Sequence, residues 1–308
     1  MTIQSDTRSK TTDAGTKRKA PRAFWPSTVV LLLSITILGG CATADLRNRQ
    51  LKELGVQPTQ EQEGATLMQT MLEKHGQAAW KSHQTVEMIL RDDWRGLLSS
   101  LAGRPWDNEL LNFTYELGTF NGRVEVLDGD TKGEIYGLHS WQGYEIEPGE
   151  PLELEDGSRT NFIIPAIIYL AELPFRLADA PILLHMADTL YEGKSYNLVF
   201  ATWDRIEPHG ENDQYILWIN KETGLVDIAQ YTIRDQFNFV DAAILYEDYR
   251  MIDGVMVPYT MIINAAPDDD KPFHTITMQK VTFDAIRPDS LHIFDSVKEF
   301  GDAKKPEE

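Results

Sequence analysis

The chain has 308 residues, room for two average domains or one large β-barrel, and with 42% hydrophobic and 10% aromatic residues it can bury a core. Its formal net charge of −19 argues against nucleic acid as the main partner, because phosphate binding needs clustered Lys and Arg. The single cysteine excludes an internal disulfide framework, a Cys-based zinc ribbon and a CxxC redox centre.

Residues 1–40 differ from the rest. They carry six basic side chains (Arg8, Lys10, Lys17, Arg18, Lys19, Arg22) and two acidic ones, which leaves 23 basic and 46 acidic side chains for the remaining 268 residues. The apolar run that follows, residues 29–38, is broken only by Ser34 and Thr36. A membrane span needs about 20 residues, so this run fits the h-region of a secretory signal instead. Next comes Leu38-Gly39-Gly40-Cys41-Ala42, which resembles the bacterial lipobox: small residues let a signal peptidase approach the backbone, and the thiol is the nucleophile that accepts a diacylglyceryl group. The resemblance implies a signal peptide over 1–40 and Cys41 as the lipidated first residue of the mature chain, with its new amino group acylated too. Acylation at both positions passes the two-signal threshold for stable anchoring. Ala42, where the sorting rule would need Asp for inner-membrane retention, implies the outer membrane.

Along the mature chain, 41–63 reads as a lipidated N-terminus and polar tether. Leu67, Met68, Met71 and Leu72, with Gly76 as a stop, predict a helix over 65–75. Strands are expected at 85–91, 113–120, 123–127, 134–141 and 144–146, with Asn121-Gly122 as a hairpin signal, Asp128-Gly129-Asp130 as a turn and an acidic loop at 148–157. After 161–178 the β rhythm resumes at 190–191, 196–203, 214–220, 225–234, 242–250, 255–265 and 273–283. Turns at 221–224 and 252–254 and polar loops at 207–213 and 267–272 separate the later ones. The charged tail 301–308 is expected to be disordered. About ten strands at short spacing predict a mainly β domain over 64–300: a half-open antiparallel β-barrel with an N-terminal helix.

The informative interruption is 162–177, where 12 of 16 residues are apolar and the exceptions are Pro165, Glu172, Pro174 and Arg176. A helix apolar all round must be buried on all sides. It either fills the barrel as core or acts as a movable lid over an apolar cavity, with Pro165 near its start and Pro174 expected to end or kink it. Phe162, Ile164, Ile167, Ile168 and Phe175 on this segment are the candidate ligand-binding residues, together with Phe200 and Leu217 from strands. Alternation is expected to put Leu198 and Phe200, like Tyr215, Leu217 and Ile219, on the concave face.

Signals for catalysis are weak. Histidines 75, 83, 139, 185, 209, 274 and 292 show no compact zinc-ligand spacing, Asp128, Asp130 and Glu134 lack the calcium-loop spacing, and there is no GxSxG elbow, GxGxxG or P-loop. No cofactor or metal is expected.

Two stretches, Tyr215-Ile216-Leu217-Trp218-Ile219-Asn220-Lys221-Glu222-Thr223-Gly224-Leu225-Val226 and Tyr246-Glu247-Asp248-Tyr249-Arg250-Met251-Ile252-Asp253-Gly254-Val255-Met256-Val257-Pro258, resemble the hairpins of outer-membrane lipoprotein-sorting proteins of the LolA/LolB type. That resemblance implies a half-open barrel with helices in its mouth. It also implies non-catalytic binding of a lipid or other hydrophobic ligand at the periplasmic face of the outer membrane, in lipid or lipoprotein transport. The alternatives are a structural lipoprotein whose filled barrel docks a periplasmic partner, and a hydrolase with a site assembled across strands. Cys41→Ser is expected to leave a larger, unprocessed precursor in the inner membrane, read by immunoblot of separated membranes; processing at residue 41 in the variant would remove the lipobox reading.

Overall fold

The computed structural model describes residues 43–95, 105–154, 160–234 and 237–293. The run at 29–38, Cys41 and the tail at 301–308 lie outside them. The first half of the sheet comprises β1 (Thr85–Trp94), β2 (Leu110–Glu116), β3 (Gly122–Val126), β4 (Ile135–His139), β5 (Gln142–Ile146) and β6 (Glu153–Leu154). The second comprises β7 (Ile182–Tyr191), β8 (Lys194–Thr202), β9 (Tyr215–Asn220), β10 (Val226–Ile233), β11 (Phe237–Ile252), β12 (Val255–Asn264) and β13 (His274–Phe283). These thirteen strands form one antiparallel sheet in the order β6-β5-β4-β3-β2-β1-β13-β12-β11-β10-β9-β8-β7. Each half is a meander of sequence neighbours; only the β1–β13 pairing joins the halves. The architecture is a half-open β-barrel, as the alternation and turn spacing predict, with a further strand, β6, inside the expected acidic loop and with β7 and β11 longer than expected.

The seam between the halves carries a buried polar lock. Asp92, fully buried on β1, takes hydrogen bonds from the indole N–H of Trp94 at 3.0 Å and of Trp106 at 2.9 Å, and pairs with His274 of β13. Burial alone would raise the Asp92 carboxyl; His274 and the two indoles outweigh it and hold the group below the usual carboxylate range.

The sheet has an apolar cluster on each face. The larger takes in Met88, Leu111, Phe113, Val199, Leu217, Ile244, Met261 and the helix α4 described below; the smaller gathers Leu184, Met186, Phe200 and Ile216 around Leu51. Leu51 comes from α1 (Arg49–Leu54), whose N-terminus is capped by the Asn48 side chain at 2.8 Å from Leu51 N. The stretch 43–63, which its polar composition makes look like a tether, is therefore built into the fold. Ala44 N donates to Asn238 O at 2.9 Å, and Leu46 N donates to Gln214 Oε1 at 2.9 Å. Leu46 and Leu51 then cover apolar side chains that would otherwise face water.

Next, α2 (Pro58–His75) starts earlier than its apolar spacing suggests. Pro58 occupies the first turn and Gln57 and Gln60 form a reciprocal capping box. Gly76, in the left-handed region at φ 83°, closes the helix, and α3 (Gln77–Trp80) follows. A Cβ added at Gly64 would lie 2.6 Å from Leu183 O and 2.9 Å from His185 N, so α2 presses its backbone onto β7 and shields that sheet edge. The other edge, β6, is only two residues long and exposed. Gly64→Ala is expected to lower the urea midpoint by about 1–3 kcal/mol of stability through overpacking; an unchanged midpoint would mean that α2 does not seal the edge.

Candidate ligand site beneath an apolar helix

The chain crosses from β6 at one edge of the sheet to β7 at the other by way of α4 (Thr160–Arg176). By length and composition alone Thr160–Asp179 is apolar enough to cross a membrane. Here it packs instead against β4, β5 and α2. Ile163, Ile164, Ile167, Ile168 and Leu173 are each at most 1% exposed and join the larger core cluster. Burying an aliphatic side chain of this size stabilises by about 1.5–3 kcal/mol, which makes this helix a major part of the fold. Phe162, Pro165, Ala166 and Tyr169 are half-buried, at helical spacing, and form its outer stripe.

Pro174 neither ends the helix nor leaves it incomplete. An α-helix pairs each carbonyl with the N–H four residues on, and for Leu170 that residue is Pro174, which has none. Tyr246 of β11 supplies the missing donor: its hydroxyl donates to Leu170 O at 2.8 Å. Two turns of chemistry follow on the same half of the helix. Glu172 and Arg176, four residues apart and almost wholly buried, form an ion pair at 2.8 Å. Glu172 Oε1 accepts from Gly118 N at 3.3 Å, Arg176 donates to Thr119 O at 2.7 Å, and its guanidinium lies 4.3 Å from the Phe120 ring centre. The β2–β3 connection thus holds this end of α4. The first turn is held by Asn161, whose side-chain N–H donates to Trp141 O at 3.2 Å. Ser140 and Trp141 form the tight β4–β5 turn with φ of 50° and 66°, a conformation usually left to Asn and Gly. Their strain is offset by that contact and by Ser140 N donating to Asn121 Oδ1 at 2.9 Å.

Phe175, 8% exposed, stacks on Trp80 at 4.8 Å between ring centres and meets the edge of His75 at 6.1 Å. His75 Nε2 accepts from Val226 N at 3.1 Å, which requires a neutral ring, and burial depresses its pKa to about 3. What space remains here is a crevice of about 30 Å³ between the Phe175 end of α4 and Val86, Met88, Met278 and Val281. That is the volume of a water molecule, against some hundreds of Å³ for a small-molecule site. Beneath α4 the described residues leave no cavity of that size.

Of the candidate residues, Ile164, Ile167, Ile168, Phe175 and Leu217 come together in the larger cluster, whereas Phe162 is half-buried on the outer stripe of α4 and does not join them. Phe200 does not join them. It pairs with Ile216 across β8–β9, while Val199 pairs with Leu217; directly opposed residues share a face, so Phe200, like Leu198, faces Leu51 on the far side of the sheet. Sequence reading missed Tyr246 and His75, whose roles depend on partners far along the chain. The polar exceptions Glu172 and Arg176 did carry a signal, since their i,i+4 spacing inside an apolar run is that of an internal ion pair.

A scan against protein-family models and a search of curated proteins each return no match. The chain is similar in structure to a DUF1329 family protein from Desulfovibrio piger, at 14% identity over 77% of this chain and 99% of that one (TM-score 0.49). It is also similar to a LolA superfamily protein from Nitrosomonas europaea, at 14% identity over 74% and 98% (TM-score 0.43). A domain from Vibrio parahaemolyticus assigned to outer-membrane lipoprotein sorting matches at 9% identity over 75% and 97% (TM-score 0.46). These likenesses are of chain path, and what the site does follows from its residues.

The neutral His75 makes stability depend on pH in one direction. Its folded pKa lies below the unfolded value of 6.5, so the unfolded chain binds the extra proton and stability falls as pH drops from 6.5 towards 3. Between pH 6.5 and 5 the loss is about 2 kcal/mol. His75→Gln, which keeps an acceptor for Val226 N, is expected to flatten that slope in urea unfolding at the two pH values; parallel slopes for wild type and variant would contradict the assignment.

Proposed function

We propose that the protein is a lipid-anchored, non-catalytic binder of an acyl chain or similarly apolar molecule, which it receives beneath α4 at the periplasmic face of the outer membrane. The observation that supports this most is the way α4 is fastened. Three polar ties, at Leu170, Glu172 and Arg176, hold its second half, whereas in its first half Asn161 ties only the first turn and Ile163, Ile164, Ile167 and Ile168 contribute through apolar contact. Apolar contact is the one interaction that an acyl chain can replace in kind. A ligand that displaced the first half would meet other side chains of the larger apolar cluster, with the missing intrahelical bond between Leu170 and Pro174 as a ready bending point. The mature-chain anchor at Cys41 is part of this proposal. A second reading, a filled barrel that docks a periplasmic partner, is favoured by the residual crevice of about 30 Å³.

The two readings separate on one experiment. Replacing Ile167 and Ile168 by Ala is expected to lower stability by a few kcal/mol and, by penalising the closed state, to tighten binding of a fluorescent acyl probe. Tyr246→Phe, which removes the donor to Leu170 O, should act in the same direction with a stability loss of about 1–3 kcal/mol. Reduced stability in both variants with no gain in probe affinity would establish α4 as fixed core and favour the second reading.

A further inference from the structure

The first described residues, which follow Cys41 closely in the chain, are docked on one end of the sheet. Ala44 is pinned on both sides of its peptide: its N–H donates to Asn238 O at 2.9 Å, and Arg234 donates to its carbonyl at 2.5 Å. Arg234, itself 5% exposed, also donates to Asn238 O at 2.6 Å, so one buried guanidinium clasps the segment to the start of β11. Leu46 N is fixed to Gln214 Oε1, and the Gln214 side-chain N–H in turn donates to Ile206 O at 2.9 Å. Between Cys41 and Ala44 the chain can span at most about 11 Å. An acyl group on Cys41 therefore has no slack with which to leave this end of the sheet. Beside the clasp, next to Asn238, lies Phe239, a large aromatic side chain that is 53% exposed.

We infer that the β10–β11 end of the barrel rests on the bilayer surface, with Phe239 at the depth of the lipid headgroups. This rests on acylation of Cys41. The partner is a lipid surface because the feature that points outward is an aromatic side chain, of the kind that membranes hold at their interfaces, beside a short tether that ends in lipid. Charge is not the attraction: Arg47 is paired with Asp45 at 3.0 Å and with Glu207 at 3.5 Å. The turn between β9 and β10, with exposed Glu222, lies at the opposite end of the strands. From Phe239 to the far end of β11 at Ile252 is 13 residues, or about 43 Å.

The test uses the mature protein purified with its native anchor and reconstituted in phosphatidylcholine vesicles whose acyl chains carry bromine. Phe239→Cys and, separately, Glu222→Cys are labelled with an environment-sensitive fluorophore; acylated Cys41 has no free thiol to compete, and the mass of the N-terminal peptide reports its acylation. Several-fold stronger quenching at 239 than at 222 is expected. Inserting 20 Gly and Ser residues between Ala42 and Thr43 leaves every contact of Ala44 in place but frees the anchor, and should bring quenching at 239 down to the level at 222. Equal quenching at the two positions in an acylated protein, or quenching at 239 that survives the insertion, overturns the orientation while leaving the anchor intact. An N-terminal peptide without acyl groups overturns the anchor and the orientation together.

Discussion

An antiparallel sheet of thirteen strands whose larger apolar cluster lies on one face and which ends in two edges has to be covered before it is stable in water. Here the cover is α4, and the topology leaves little choice about where it comes from. Each half of the sheet is a run of hairpins, so the single long connection between them, from β6 to β7, is the one free to cross the open side. A connection placed there must itself be apolar on all sides, because it faces the sheet inward and meets β4, β5 and α2 around its rim. The composition of residues 160–176 is the direct consequence.

The buried polar groups then decide how the cover sits. Aliphatic packing alone would tolerate a helix that slid or rotated. The Glu172–Arg176 pair reads the backbone of the β2–β3 connection, and Tyr246 reads one carbonyl that a proline has released. Each of these is satisfied in one position of α4 only, and a shift of one residue would leave charge or carbonyl buried without a partner. The Asp92–His274 contact plays the same part at the seam of the sheet, where the two halves of the chain meet. Specificity in this core therefore comes from a small number of polar contacts between residues far apart in sequence, and bulk stability from the Ile and Leu around them.

The opposite face solves a smaller version of the same problem with fewer means. Leu184, Met186, Phe200 and Ile216 cover only part of that face, and Leu46 and Leu51 are enough to seal them. Because the segment that carries them also follows the proposed anchor in sequence, the proposed orientation of the barrel rests on the same contacts that close this cluster.

Alternation, turn signals and apolar runs in the sequence determined the class of fold, most strand positions, the hairpin turn at 221–224 and one buried helix, expected at 162–177 and found at 160–176. All of these follow from local periodicity and local backbone preference. The β2–β3 hairpin turns at 117–120 instead of at Asn121-Gly122, because Gly122 already pairs with Tyr115 in β3. Only the tertiary structure decided which face each strand residue took: Phe200 went to the far side because register across β8–β9, which no single strand encodes, pairs it with Ile216. It also decided that the polar stretch 43–63 is ordered, since its few apolar residues matter only once the sheet presents Leu184 and Phe200 to them. The same holds for Tyr246 and His75, whose roles were invisible in sequence. A hydroxyl that satisfies the carbonyl released by a proline, and an imidazole kept neutral by burial, are defined by partners 76 and 151 residues away.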